Sequence, residues 1–261
     1  MDRELTQYDS TEALALRQAL YGFATGPTRG DIVRNTLCGF EGMSVLDAGC
    51  GNGKLMAEIL RPFRDVTVTV LDPSEAMVEE AVQRCSLWQT SGHVADISNI
   101  QLSRFFDRIV LAHILHLTND PILAIENAIR HLRPSGRCII TMHSGTDFPK
   151  RREWISWFEQ TFQNQYRAKR DSLNLQNINA FTTGLPGTFE KQLIHTEICL
   201  AEPAPYLDYI GTERHRWEHE PTDEEWNLYR DHVRTDIEST IARHGAFVEQ
   251  HDWGLATIHL S

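Results

Sequence analysis

Basic residues are scarce in this chain: 25 Lys and Arg stand against 36 Asp and Glu in 261 residues, a net charge of −11. Such a balance opposes nucleic acid and an anionic bilayer, because both require a concentrated positive field. Cysteines are few and odd in number (Cys38, Cys50, Cys85, Cys138 and Cys199), with no C-x-x-C spacing. Neither a disulfide framework nor a zinc knuckle is expected from that pattern. No apolar run approaches the roughly 20 residues that span a bilayer, and the start "MDRELTQYDS" has no apolar stretch of the signal-peptide kind. The expectation is a cytoplasmic protein with a small-molecule partner, no nucleic acid and no membrane; a homodimer is left open.

What is present is an alternation of strand and helix signals. After a short helix at 11–20, "SVLDA" (44–48) is an apolar run that ends in glycines, and Leu55, Met56, Ile59 and Leu60 follow at helical spacing. "VTVTVL" (66–71) is rich in β-branched residues and predicts a strand. Ser74 is the expected cap of a helix with the apolar face Met77, Val78, Ala81, Val82 and Cys85. "HVA" (93–95) and "RIVLA" (108–112) predict two further strands. Asp120 before Pro121 marks a helix start, the "RPSG" turn (133–136) its end, and "RCIITMH" (137–143) a fifth strand. Alternation at this pace predicts an α/β fold with a mostly parallel sheet covered on both faces.

Behind residue 145 the texture becomes aromatic. Trp154, Trp157, Phe158, Phe162 and Tyr166 are expected on one helix face. Another strand is predicted at 189–200. Thr222 with Glu225 forms a capping box for a helix that packs Trp226, Tyr229, Val233, Ile237 and Ile241 and stops at Gly245. The stretch 246–260 reads as two strand halves around Gly254. His215 and His219, four residues apart in "HRWEHE", lack a third ligand and read as a polar loop, so no metal is expected.

The most informative segment is "VLDAGCGNGK" (45–54). A dinucleotide loop requires G-x-G-x-x-G, yet Gly49, Gly51 and Gly53 give G-x-G-x-G and Lys54 stands where the third glycine should fall. A Walker loop is also absent. Asp47, two residues before Gly49, would repel a pyrophosphate but suits a ligand carrying an ammonium or sulfonium. The segment resembles the first motif of the class I S-adenosylmethionine (SAM)-dependent methyltransferases, and the order of later motifs is similar over roughly 45–144.

That resemblance implies a Rossmann-like seven-stranded sheet with a small helical substrate cap. It implies that Asp47, Ala48, Gly49 and Gly51 hold the methionine part of the cofactor. Asp72 would accept from the ribose hydroxyls, Met77 would flank the adenine, Asp96 would accept from the adenine amine, and the Ile97 N–H would meet a ring nitrogen. Ala112 and His113 would lie against the cofactor and the reacting centre. The turn Pro134-Ser135-Gly136 departs from the P-G-G often found in the family. Read singly, Asp47, Asp72 or Asp96 is an ordinary cap; three acids at the ends of three successive strands point to a ligand.

The implied activity is methyl transfer to an O or N atom of a small-molecule acceptor, a metabolite or natural product, with S-adenosylhomocysteine (SAH) as product. Base candidates are His113, His116 and His143, with His113 the catalytic choice. Trp157, Phe158 and His143 are the candidate acceptor contacts. The expected organisation is an N-terminal helical lid segment at 1–40, the SAM-binding core at 41–145 and substrate-cap segments at 146–188 and 201–222. The remaining sheet and helix elements fall at 189–200 and 223–261. A SAM-binding protein without methyl transfer, such as a cyclase or a structural partner subunit, stays open as an alternative.

Overall fold

The computed structural model describes residues 11–163, 165, 166, 168 and 173–260. The expected polar start at 1–10, and the parts of the expected cap at 164, 167 and 169–172, lie outside the described residues. In chain order the helices are α1 (Thr11–Leu20), α2 (Arg29–Leu37), α3 (Lys54–Leu60), α4 (Glu75–Arg84), α5 (Pro121–Arg130), α6 (Pro149–Thr161), α7 (Asn179–Thr182), α8 (Ala204–Gly211) and α9 (Asp223–His244). The strands are β1 (Met43–Ala48), β2 (Val66–Asp72), β3 (Gln89–Val94), β4 (Phe106–Ala112), β5 (Leu132–His143), β6 (Thr188–Leu200) and β7 (Phe247–His259).

These seven strands form one sheet in the order β3-β2-β1-β4-β5-β7-β6. Strands β1 to β5 run parallel to their neighbours, and β7 is antiparallel to β5. The order reverses at β1 and β4, the switch point beside which open α/β sheets bind their ligands.

By contacts, the described residues fall into two units. One contains 27–145, 173–194 and 253–260; the other contains 11–26, 146–168 and 195–252. Helix α9 therefore belongs with the helical segments, whereas 27–40 belongs with the sheet, a division that differs from the expected one. Strands β6 and β7 contribute residues to both.

In the sheet unit, period-2 alternation sorts the side chains into two layers. Val45, Val68, Val70, Val110 and Ile139 pack with Val33 and Leu37 of α2, Met56 and Ile59 of α3, and Val78 and Ala81 of α4. Leu46, Ile109, Leu111, Cys138 and Ile140 point the other way, onto Ile125 and Ile129 of α5 and onto Leu173, Leu175 and Ile178. In the helical unit, Trp154 and Phe158 of α6 pack with Tyr206 and Ile210 of α8 and with Trp226, Tyr229, Val233 and Ile237 of α9.

Helix ends follow local hydrogen-bond chemistry. Asp120 accepts from the Leu123 amide at 3.0 Å, with Pro121 at the first helical position. The Thr222–Glu225 capping box forms, and Gly245 ends α9 at φ 83°. A second capping box, Thr28 with Asp31, starts α2, which falls inside the 1–40 segment expected to be helical.

Other expectations need correction. Ser74 takes the N-cap position of α4 as expected, but its side chain makes no capping bond, and its own amide donates to Asp72 Oδ1 at 3.0 Å. The 133–136 turn lies inside β5, with Ser135 left-handed at φ 62° and the β4–β5 register shifting between Phe106 and Arg108. Strand β7 runs unbroken through Gly254, where a Cβ would press on Leu175 and Met142; the glycine permits close packing and does not divide the strand. The aromatic stripe is shorter than expected, because α6 stops at Thr161 and leaves Phe162 as its C-cap and Tyr166 beyond it.

Candidate functional site

Strand β1 delivers Asp47 and Ala48 to its carboxyl end, where the loop 49–53 begins. The three glycines all adopt left-handed backbone, with φ of 74° at Gly49, 49° at Gly51 and 73° at Gly53. Side chains are rarely tolerated in that conformation, and space forbids them as well. A Cβ at Gly49 would overlap Ile114, and one at Gly53 would lie 2.7 Å from the Ala81 Cα. The amides of Gly49 and Cys50 both donate to the Leu71 carbonyl, at 2.7 and 2.9 Å. These bonds tie the loop to the end of β2.

Asp72 ends β2 and organises the same loop. Its Oδ2 accepts from the Gly51 amide and its Oδ1 from the Ser74 amide, each at 3.0 Å. A carboxylate has about four acceptor directions, so both oxygens retain capacity for a diol. Burial raises the Asp72 pKa above the ordinary carboxylate value, and its two amide bonds oppose that rise.

Asp47 is 3% exposed, and among the described residues no donor reaches its carboxylate. Burial, reinforced by the charge of Asp72, pushes its pKa up to about 7. A buried acid with unsatisfied oxygens at the mouth of a glycine loop is what an ammonium-bearing ligand requires. The residues present thus fit the amino-acid end of SAM at Asp47 and its ribose at Asp72.

The remaining expected contacts are placed as follows. Met77, on the first turns of α4, is almost fully buried, as is Ile97. Asp96 follows β3, and its Oδ1 accepts from the Ser98 amide at 2.7 Å, capping the short turn Ile97–Asn99. Ala112 ends β4 and is half-buried. His113 comes next, with a left-handed φ of 54° and its amide donating to the Thr141 carbonyl at 2.9 Å. Its ring meets that of His143, at the end of β5, with centroids 4.9 Å apart, and His116 meets His143 at 5.4 Å.

Sequence reasoning did not anticipate Ile114, whose side chain fills the space above Gly49. An apolar residue between two histidines carries no signal for that role.

The two aromatic candidates lie in the helical unit and divide. Phe158 has no exposed surface and packs on Phe162, Tyr166, Trp217 and Tyr229, so the expectation that it faces an acceptor is replaced by a core role. Trp157 stacks flat on His232, centroids 3.6 Å apart, along a groove of about 420 Å³ between α6 and α9. Among the described residues no group of histidines, cysteines and acids is arranged to hold a metal ion. No described helix is long and apolar enough to cross a membrane.

A strand order with one reversed strand beside β5, a glycine loop after β1 and acids ending β1 and β2 define the class I SAM-dependent methyltransferase architecture. The chain belongs to that family: residues 29–182 match the family described as "Methyltransferase domain". It is 30% identical over 103 residues to the uncharacterized methyltransferase YdaC of Bacillus subtilis, a match covering 39% of this chain and 57% of that protein. To 2-methyl-6-phytyl-1,4-hydroquinone methyltransferase 1 of rice it is 28% identical over 163 residues, covering 57% of this chain and 49% of the other. The chain spans about half the length of the curated relatives it matches.

Among solved structures, the YcgJ protein of Bacillus subtilis superposes with a TM-score of 0.59 at 14% identity, over 88% of this chain and 97% of that one. A Haemonchus contortus phosphoethanolamine N-methyltransferase 2, solved with phosphomonomethylethanolamine and SAH, gives 0.59 at 17% identity, over 98% of this chain and 58% of that one. At such identities the likeness establishes the fold.

Proposed function

We propose that this protein transfers a methyl group from SAM to an O or N atom of a small-molecule acceptor. The observation that carries the reading is Asp47, buried and, among the described residues, reached by no donor, beside three left-handed glycines and the Asp72 carboxylate. When bound, SAM supplies a methyl group on a sulfonium centre that any aligned nucleophile can attack. Asp47, Ala48, Gly49 and Gly51 orient its amino-acid end, and Asp72 accepts from its ribose hydroxyls. Asp96, Ile97 and Met77 border the adenine, and Ala112 lies beside the methyl-bearing end. His113 takes the acceptor's proton and His143 contacts the acceptor.

Alignment and desolvation supply most of the rate in such a displacement. The acidic net charge and the biosynthetic names among the relatives, such as a ubiquinone biosynthesis O-methyltransferase of Alkalilimnicola ehrlichii, support a metabolite acceptor.

Titration calorimetry with SAM, SAH and NAD tests the cofactor. SAM and SAH are expected to bind and NAD not to. Asp72→Ala should weaken SAH binding by about 1.5–3 kcal/mol, the loss of a charged acceptor for two hydroxyls. NAD binding without SAM binding would refute the reading. SAM binding with no labelled methyl passing to any acceptor of a metabolite extract would favour a SAM-binding protein without transfer.

A further inference from the structure

The turn after β4 is pressed onto the cofactor loop, because Ile114 occupies the space a Cβ at Gly49 would need. His113 directly precedes Ile114, and its left-handed backbone is pinned by the amide bond to Thr141. Left-handed backbone at a non-glycine residue at the end of a strand is a device for aiming a side chain. Here it brings the His113 ring edge-on to His143, at 4.9 Å and 67°. From the turn Leu115–Leu117, His116 meets the same ring at 5.4 Å and 65°. The half-buried rings of His113, just past β4, and of His116, in the turn that follows, therefore both lie against the half-buried His143 ring at the end of β5.

Charged groups stand on the neighbouring elements. Asp47 stands on β1, in register with Val110 of β4, and Asp72 ends β2. From α2, the Arg29 guanidinium lies over Trp253, whose backbone pairs with His143.

We propose that His113, His116 and His143 act together as one proton-accepting cluster, and that the methyl acceptor is a hydroxyl or a protonated amine that must lose a proton to react. This inference rests on the methyl-transfer reading. The acceptor's lone pair forms the new bond to the methyl carbon while the sulfur–methyl bond breaks and its electron pair remains on sulfur. The acceptor's proton passes to the cluster and from there to water. A carboxylate acceptor has no proton to give and would leave the cluster idle.

The test uses the full chain saturated with SAH and 4-nitrophenol as a hydroxyl probe, whose visible absorption band marks the ionised form. At a pH where free nitrophenol is mostly neutral, the bound probe should show the phenolate band. His143→Gln should reduce that band at least severalfold, and His116→Gln, a change in a half-buried turn with little risk to folding, should reduce it in the same direction. With labelled SAM, transfer to phenol or benzylamine should exceed transfer to benzoate, and His143→Gln should narrow that preference at least tenfold.

Nitrophenol bound as the neutral phenol, a band indifferent to both replacements, or no binding at all would overturn the inference. So would benzoate methylated as fast as phenol. Failure of SAH itself to bind in calorimetry would instead strike the methyl-transfer reading, and this inference would fall with it.

Discussion

Replacing Asp47 by Asn should make the protein more stable and abolish its cofactor site, with a pH dependence that identifies the cause. The Asp47 carboxyl is 3% exposed, and burial, then the charge of Asp72, raise its pKa from 3.8 to about 7. A raised carboxyl pKa means that the folded state binds the proton more tightly than the unfolded chain does. Stability from this group is fully present below pH 3.8, declines as pH rises and is lost above about 7. At about 1.4 kcal/mol per pH unit, an interval of about three units amounts to roughly 4 kcal/mol at pH 8. An amide in place of the acid cannot ionise, but it still buries a polar group, so a gain of about 2–4 kcal/mol is expected at pH 8 and almost none at pH 4.

Urea unfolding of both proteins at pH 4, 6 and 8 reads the difference directly. Calorimetry at pH 8 should show SAH binding lost in the variant, because the ammonium group loses its counter-charge. A stability difference that is the same at all three pH values would refute the reasoning. So would an Asn variant that binds SAH as well as the parent.

Gly53→Ala should cost about 1–3 kcal/mol from left-handed backbone alone, with further loss because the new methyl would press on the Ala81 backbone; thermal melting reads the sum. Phe158→Ala should destabilise the protein by about 3–5 kcal/mol through the cavity it leaves, whereas Trp157→Ala, at a partly exposed stack, should cost clearly less and leave SAH affinity within twofold. Equal losses in the two would contradict their placement. Glu249 accepts from Tyr206 Oη at 3.1 Å, and burial raises its pKa from 4.5 to about 7. Glu249→Gln should therefore gain stability relative to the parent as pH rises from 4.5 to 7, and a pH-independent difference would contradict that shift.

Much of the sheet was legible because its signals are local. Val66 to Leu71 are β-branched or apolar throughout, Asp120-Pro121 and Thr222–Glu225 start helices by satisfying their own end groups, and Gly245 stops one. The cofactor loop was legible for the same reason, since Gly49, Gly51 and Gly53 serve backbone angles that little else allows. The position of Ser74 ahead of α4 was legible, but not that its side chain makes no bond to the helix end while its own amide goes to Asp72. Gly254 misled because a glycine can serve a close neighbour as well as a bend. The roles of Phe158 and Trp157 were not legible, since both are aromatic and only the packing of α8 and α9 decides which one is enclosed. The contact of His113, His116 and His143 joins β4 to β5 across an intervening helix, a pairing no local pattern encodes.

The interleaving of the two units along the chain governs how the protein can be made and dissected. Each unit is assembled from three separate stretches of sequence, and the boundary between them is crossed again within both β6 and β7. On the ribosome, β1 to β5 emerge early, but Trp253 to His259 cannot close the ladder onto β5 until the later helical segments have been synthesised. Until then one side of β5 offers unpaired backbone, the kind of edge that recruits other chains. Slow translation or chaperone cover over that interval should raise the soluble yield. Cutting the gene at residue 145 removes β6, β7 and helices α6 to α9, so a fragment bearing every proposed cofactor contact would be a five-stranded sheet with an open, aggregation-prone edge at β5.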